Sequence, residues 1–340
     1  MLIRVPEYFD RFRCLAGACP HTCCEAWEVV IDRETAVRYQ AVPGPLGKKL
    51  RDAMTVDADG DICFPLSGGR CPFLDGENLC EIHRTLGEEA TSVTCREHPR
   101  FTEDYGSFRE ISLSASCPAA NALLLGSHQP LTFQTWETAE AGEATDPWTA
   151  ELLPVRKRML DLLADRSKRL RQRLAEVLQL ALAAQTLLDA EEDGQLPALA
   201  ASWQPEQWET PPCGEIFPDA LRFLGELDIL DPAWRTLLRR AETTAPAPIP
   251  EELLERVAAY LIFRYPLKAV NDGDLLGRTA FCVFAVLTVE WLAAVCGLAE
   301  ALRQFSREIE HSQENLEALQ DAFWSQPWFQ LPRLLGALEV

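Results

Sequence analysis

From Glu151 onward the apolar positions follow a helical period. Leu163, Leu170, Leu174, Val177, Leu178 and Ala181 recur at three, four and seven residues and mark one face of a long helix. Further runs predict helices at about 217–229, 231–242, 250–270, 275–299, 300–311, 313–325 and 328–338. Pro232 and Pro250 sit where helix starts tolerate proline, and Ser312 is placed to cap the helix after it. A loop rich in proline and tryptophan is expected near Trp203 to Pro212. The first third behaves differently. Pro43-Gly44-Pro45, Gly68-Gly69 and Pro72 break it repeatedly and leave room only for short elements. Between the two lies a polar, acidic stretch without a period. The pattern predicts a mainly α protein: an irregular cysteine-rich N-terminal domain over 1–126, a linker over 127–150 and an α-helical domain over 151–340.

One apolar stretch, Thr279 to Leu298, is long enough to imitate a membrane span. Glu290 sits at its middle, and Arg278 and Glu300 flank it without paired basic anchors, so the expectation is a helix buried in protein. Arg264 and Arg278 are candidate partners for Glu290.

Composition narrows the class. Apolar residues make up 47% and charged residues 25% of the 340, a balance that suits a folded globular chain. The net charge of −20 repels phosphate backbones and argues against nucleic acid. The basic run Arg156-Lys157-Arg158, then Arg166, Lys168, Arg169, Arg171 and Arg173, is diluted by Asp161 and Asp165 and reads as the solvated face of the first long helix. The start MLIRVPEYFDRF has neither a basic n-region nor an apolar h-region, which predicts a cytoplasmic protein whose cysteines stay reduced.

Those cysteines are the main chemical signal. Cys14, Cys19, Cys23, Cys24, Cys63, Cys71, Cys80, Cys95 and Cys117 crowd the first third, and only Cys213, Cys282 and Cys296 lie beyond. Thiolates are soft donors suited to zinc or iron–sulfur clusters. Cys14, Cys19, Cys23, Cys24, Cys71, Cys80, Cys95 and Cys117 are the candidate metal ligands, whereas Cys63 sits apart from the motif. The paired short hairpins typical of zinc modules are absent, which favours an iron–sulfur cluster, 4Fe-4S in type, with zinc as the alternative. Four thiolates suffice for one cubane, so the others are structural or hold a second ion. Cys19-x3-Cys23 begins the radical C-x3-C-x2-C motif, but Ala26 occupies its third position. His21, His83 and His98 read as surface or hydrogen-bonded residues.

At these residues the chain resembles a known family. Cys-x4-Cys-x3-Cys-Cys, Cys71-Pro72-Phe73-Leu74, Leu79-Cys80-Glu81-Ile82, Cys95-x3-Pro99-Arg100 and Ser116-Cys117-Pro118 resemble the bacterial zinc- or iron-chelating cysteine domain. The segments Tyr260-Leu261-x2-Arg264-Tyr265-x2-Lys268-Ala269-Val270-x-Asp272-Gly273-Asp274 and Ser306-Arg307-Glu308-Ile309-Glu310-His311-Ser312-x2-Asn315-Leu316-Glu317 look like the flagellin lysine-N-methylases. That resemblance implies methylation of flagellin lysines with S-adenosylmethionine as donor, in an enzyme of the bacterial flagellum that carries an iron–sulfur cluster. A Gly-x-Gly-x-Gly nucleotide turn is missing, so the donor pocket must be unconventional.

Lysine attacks only when neutral, so a methylase needs a base and a carboxylate-rich site. Tyr260, Asp272, Asp274, Glu308, Glu310 and His311 are the candidate catalytic residues, and Arg264, Lys268 and Arg278 the candidates to hold the donor's carboxylate. The competing reading makes Asp272 and Asp274 helix caps and Glu308 to Ser312 a polar interhelical junction. The functional alternative is a non-enzymatic metal-binding or metal-delivery module with a helical docking domain.

Overall fold

The computed structural model describes residues 1–25, 29–58, 60–190, 194–206, 216–327 and 329–338. Cys213 and the loop beyond residue 206 lie outside them. Among the described residues the protein is mainly α. The N-terminal third builds strand β1 (Leu2–Pro6), β2 (Val29–Val30), helix α1 (Arg33–Ala41), α2 (Gly44–Ala53), β3 (Thr55–Val56), β4 (Ile62–Phe64), α3 (Glu81–Leu86), α4 (Val93–Glu97), β5 (Arg100–Asp104), β6 (Phe108–Leu113) and α5 (Pro118–Leu125). Its small core gathers Val29, Ile31, Tyr39, Leu50, Phe64, Phe73 and Ile82, on the antiparallel ribbon β2-β4-β3.

Residues 127–150, without period in the sequence, contain strand β7 (Phe133–Glu137). It pairs antiparallel with β1, which runs parallel to β6, giving a four-stranded sheet in the order β5-β6-β1-β7. The alternation in β6 is the reason the sequence is hard to read there: Phe108, Glu110 and Ser112 all point inward. Glu110 is a charge on a buried face because Arg156 meets it at 2.6 Å.

The helical part comprises α6 (Pro147–Ala164), α7 (Leu170–Asp189), α8 (Leu196–Ser202), α9 (Phe217–Leu224), α10 (Ala233–Ala241), α11 (Glu251–Arg264), α12 (Leu275–Cys296), α13 (Leu298–Phe305), α14 (Gln313–Ser325) and α15 (Leu331–Gly336). A 3₁₀ turn, Pro266–Val270, follows α11, and a π-helical turn, Ser306–Glu310, prolongs α13. The expected first long helix is therefore two, broken at 165–169. Leu163 lies in the last turn of α6, and Leu170, Leu174, Val177, Leu178 and Ala181 line the buried face of α7.

The apolar stretch centred on Glu290 is α12. Asp274 caps its start by accepting from Gly277 N at 2.8 Å, and Gly297 ends it at a φ of 82°. It packs against α7, α10, α11, α13 and α14 in the main core. Burying a large apolar side chain there is worth about 1.5–3 kcal/mol, and Phe281, Phe284 and Leu292 are all fully buried. Glu290 pairs with Arg171 at 2.9 Å, not with Arg264 or Arg278. Arg171 comes from α7, a neighbour in space that the sequence does not reveal.

The basic run is also corrected in part. Arg156 and Arg173 are buried, paired with Glu110 and Glu255. Arg166 also binds Glu255, at 2.8 Å. Buried ion pairs of this kind hold only when each charge keeps its partner.

Candidate functional site

Four of the candidate residues meet where the two parts of the chain join. α11 ends in Tyr260, Arg264 and Tyr265, and the π turn presents Glu310 and His311 to them. A π turn adds a residue to the helical turn and so re-aims the side chains after it. Arg264 forms a buried ion pair with Glu310 and a hydrogen bond to the Tyr260 hydroxyl. Tyr260 and Tyr265 donate to Glu310 at 3.2 and 3.0 Å. The Arg264 guanidinium lies 3.9 Å from the centre of the Phe101 ring. Burial works against its charge, but Glu310 and the two tyrosines outweigh that and hold it protonated. Burial pushes the Tyr260 hydroxyl up.

His311 completes the cluster from the other side. Its Nε2 lies 2.8 Å from Ser114 Oγ and 2.9 Å from Ser116 Oγ, and Ser114 reaches Ser306 at 3.3 Å. The ring of His98 sits 6.1 Å from that of His311. Burial pushes His311 down to about 3, helped by His98 and Arg264, and pushes His98 down to about 4. The sequence does not assign Ser114, Ser116, Ser306, Tyr265 or His98 to this site, although all but Ser114 stand in the segments that resemble the family or among the three histidines that read as surface or hydrogen-bonded. A signal existed for two of them: Ser112, Ser114 and Ser116 alternate at the end of an apolar strand, polar groups on a buried face that must find partners.

Both histidines are neutral when folded and charge readily when unfolded. The unfolded chain therefore binds more protons between the depressed folded values and about 6.5, and stability falls as pH drops through that window. Each should remove about 2 kcal/mol between roughly pH 7 and pH 5. Urea titrations at both pH values test this, and His311→Gln should shrink the difference.

The remaining candidates lie elsewhere. Glu308 accepts from the backbone N–H groups of Leu230 and Asp231 at 2.9 and 3.1 Å, and burial pushes its carboxyl up to about 7. Lys268 pairs with Glu103, and Arg278 with Asp272. All three candidate donor-binding cations are thus already matched to acids within the chain.

Asp272 and Asp274 face a different feature, an open cleft of about 600 Å³ between α6, the end of α7, the 269–274 turn and α14. Asp189 and Asp321 join them, with Trp148 and Trp324 as aromatic walls. No lysine, arginine or histidine is among the described residues that line it. Trp324 is 59% exposed, an unusual position for an indole, and its Nε1 donates to Asp274 at 3.4 Å. A larger cleft of about 920 Å³ beside α7 and α12 contains the Arg171–Glu290 pair, so its central charges satisfy each other.

The candidate metal thiols come from separate segments. Cys71 N donates to the Cys24 carbonyl at 2.8 Å, and the turn centred on Asp75 returns the chain to Cys80. Gly17 allows the Cys14–Cys19 loop to approach Glu77 and Leu79, where a Cβ would meet the Glu77 carbonyl at 2.8 Å. Cys71, Cys80 and Cys95 lie within electrostatic reach of Cys24, and Cys117 within reach of Cys14 and Cys19. Cys23 donates to Cys24, raising its own thiol pKa and lowering that of Cys24. Burial pushes Cys71 up to about 12 and Cys95 up to about 11, so these thiols remain protonated unless a cation compensates them. Several accept backbone N–H groups: Cys14 from Ala16 at 3.4 Å, Cys80 from Ile82 and His83, and Cys117 from Ala119 and Ala120.

None of the eight is in a disulfide. The donor types fit a thiolate-bound metal, and the N–H groups aimed at sulfur fit it too. As placed, however, no group of three or more Cys, His, Asp or Glu among the described residues could hold an ion. Cys63 is buried on β4, 3.6 Å from Thr55 Oγ1.

No family model and no solved structure matches the chain. It is similar to the lysine-N-methylases of Salmonella typhimurium and Salmonella choleraesuis, each 28% identical over 169 residues, which is 46% of this chain and 40% of theirs. It is also 31% identical over 132 residues to the flagellar biosynthetic protein FliU of Salmonella muenchen, covering 35% of this chain and 75% of FliU. The chain belongs to the lysine-N-methylase/FliU family. The match spans about two fifths of the length of the curated lysine-N-methylases. In this family member the Tyr260–Glu310 cluster is sealed inside the protein, whereas the Asp272–Asp274 turn opens to solvent.

Proposed function

We propose that the chain is a cytoplasmic protein-lysine N-methyltransferase that takes flagellin as substrate and S-adenosylmethionine as methyl donor. The observation that carries this reading is the cleft bearing Asp189, Asp274, Asp321, Trp148 and Trp324, because carboxylates and indole faces suit a lysine ammonium, although Asp272 beside them already pairs with Arg278. The names of the Salmonella relatives support its lysine methylation and its flagellar link.

In this reading the cation enters between the two tryptophans and loses a proton to a carboxylate, with Asp321 the exposed candidate. The neutral amine then attacks the donor methyl carbon. A nitrogen–carbon bond forms, the sulfur–methyl bond breaks, and its electron pair stays on sulfur, which becomes a neutral thioether. No electron is exchanged.

Cys14, Cys19, Cys23, Cys24, Cys71, Cys80, Cys95 and Cys117 are the thiols from which four would ligate a proposed iron–sulfur centre. When bound, that centre would tie separated segments together and compensate buried thiolates. The rest of the chemistry belongs to the protein's own groups: the carboxylates attract and deprotonate the lysine, and the tryptophans orient it.

Anaerobically purified protein, incubated with flagellin and methyl-labelled S-adenosylmethionine, should label flagellin lysines. No label, no donor binding and readily exchanged metal would instead support the metal-binding module. Iron with labile sulfide is expected in the same preparation, with broad absorption in the blue. Zinc without sulfide would overturn the cluster and leave the methylation to stand or fall on the label.

A further inference from the structure

Segment Ser114–Cys117 leaves β6 and ends on a thiol at the start of α5. Its Ala115 N–H and its two serine hydroxyls are held by the helical part of the chain, while Ser114 N–H donates to the Pro99 carbonyl and Cys117 N–H to the Ser114 carbonyl. Ala115 N–H donates to the Tyr260 hydroxyl at 3.3 Å. The hydroxyls of Ser114 and Ser116 both meet His311 Nε2. Asn121, one turn into α5, donates to the Ala115 carbonyl at 3.0 Å and to the Ala299 carbonyl at 2.9 Å. Behind Tyr260 stand Glu310 and Arg264, so its hydroxyl is held in turn. Ser114 to Ser116 are buried, while Cys117 is half-buried at the edge of the thiol-rich region.

We infer that Tyr260, Glu310 and His311 are positioning residues for Cys117, through which the helical part sets the place and accessibility of a thiol in the N-terminal part. A buried serine pair needs a partner that can serve both hydroxyls, and His311 Nε2 lies within 3 Å of each. A backbone N–H at a chain reversal needs an acceptor, and the Tyr260 hydroxyl is that acceptor. If the cluster were only filler between helices, it would have no reason to converge on one four-residue segment. The inference rests on geometry alone and holds whether or not the chain methylates lysine.

The test is the rate at which iodoacetamide alkylates individual cysteines in the full chain, freed of metal with chelator and reductant and read by peptide mass spectrometry. Cys282, fully buried in α12, reports general loosening. In Tyr260→Phe and in His311→Ala the rate at Cys117 should rise about ten-fold, as loss of a buried hydrogen bond predicts, with Cys282 unchanged. His311→Gln keeps a hydrogen-bonding group beside the serines and should return the rate close to that of the unaltered chain. An unchanged Cys117 rate in either Tyr260→Phe or His311→Ala overturns the inference, and so does a Cys282 rate that rises in step with it.

Discussion

Glu310→Ala is expected to destabilise the protein by about 3–5 kcal/mol, because it leaves a buried guanidinium without its counter-charge. Arg264 is fully enclosed by Phe101, Tyr260 and Tyr265, and Glu310 is its buried ion-pair partner. Water cannot replace the lost carboxylate without opening the seam between α11 and the π turn. At about 2–4 °C per kcal/mol for chains of this order, the melting midpoint should fall by roughly 10 °C. Asp274→Ala is the comparison, since it removes one helix cap and should cost only about 1 kcal/mol. The double change Arg264→Met with Glu310→Leu should recover much of the loss, because it removes both charges together. A midpoint for Glu310→Ala within about 2 °C of the unaltered chain would show that Arg264 has another way to be neutralised.

The triple change Asp272→Asn, Asp321→Asn, Trp324→Ala should lower kcat/KM for flagellin by at least roughly 100-fold, through KM for the lost binding and through kcat for the lost base. Trp324 supplies an exposed indole face, worth about 0.5–2 kcal/mol to a cation, and each exposed carboxylate adds up to about 1 kcal/mol. The binding lost with Trp324 and Asp272 is common to the ground and transition states and raises KM, whereas loss of the proposed base Asp321 lowers kcat. Raising the salt concentration should weaken flagellin binding to the unaltered chain and have less effect on the triple variant. A kcat/KM within about three-fold of the original would mean that the lysine enters elsewhere, whatever the protein's activity. Asp321 and Trp324 are surface groups, and Asp272→Asn also takes the counter-charge from Arg278, so the midpoint of unfolding should fall by only roughly 2–4 °C.

Much of the helical half was readable because its period is local. Amphipathic spacing requires only that one face be apolar, and α9 to α14 fall close to where that spacing puts them. The break between α6 and α7 was not readable, since Leu163 and Leu170 keep the period across it. The short β7 escaped because its only cue is pairing with β1, more than 120 residues away in sequence.

The sites divide along the same line. Sequence alone picked out eight thiols of one chemical kind, and it named Tyr260, Arg264, Glu310 and His311 from their segments without knowing that they touch. Residue type and local spacing determine which groups can ionise, ligate or cap, because those properties belong to the side chain and its near neighbours. Only the tertiary structure decided that Arg264 answers Glu310, that Glu290 answers Arg171, and that Asp272 and Asp274 share an open cleft with Asp321 and Trp324. A charge takes the partner that burial brings to it, and burial is set by the packing of distant helices, a long-range property that no window of sequence contains.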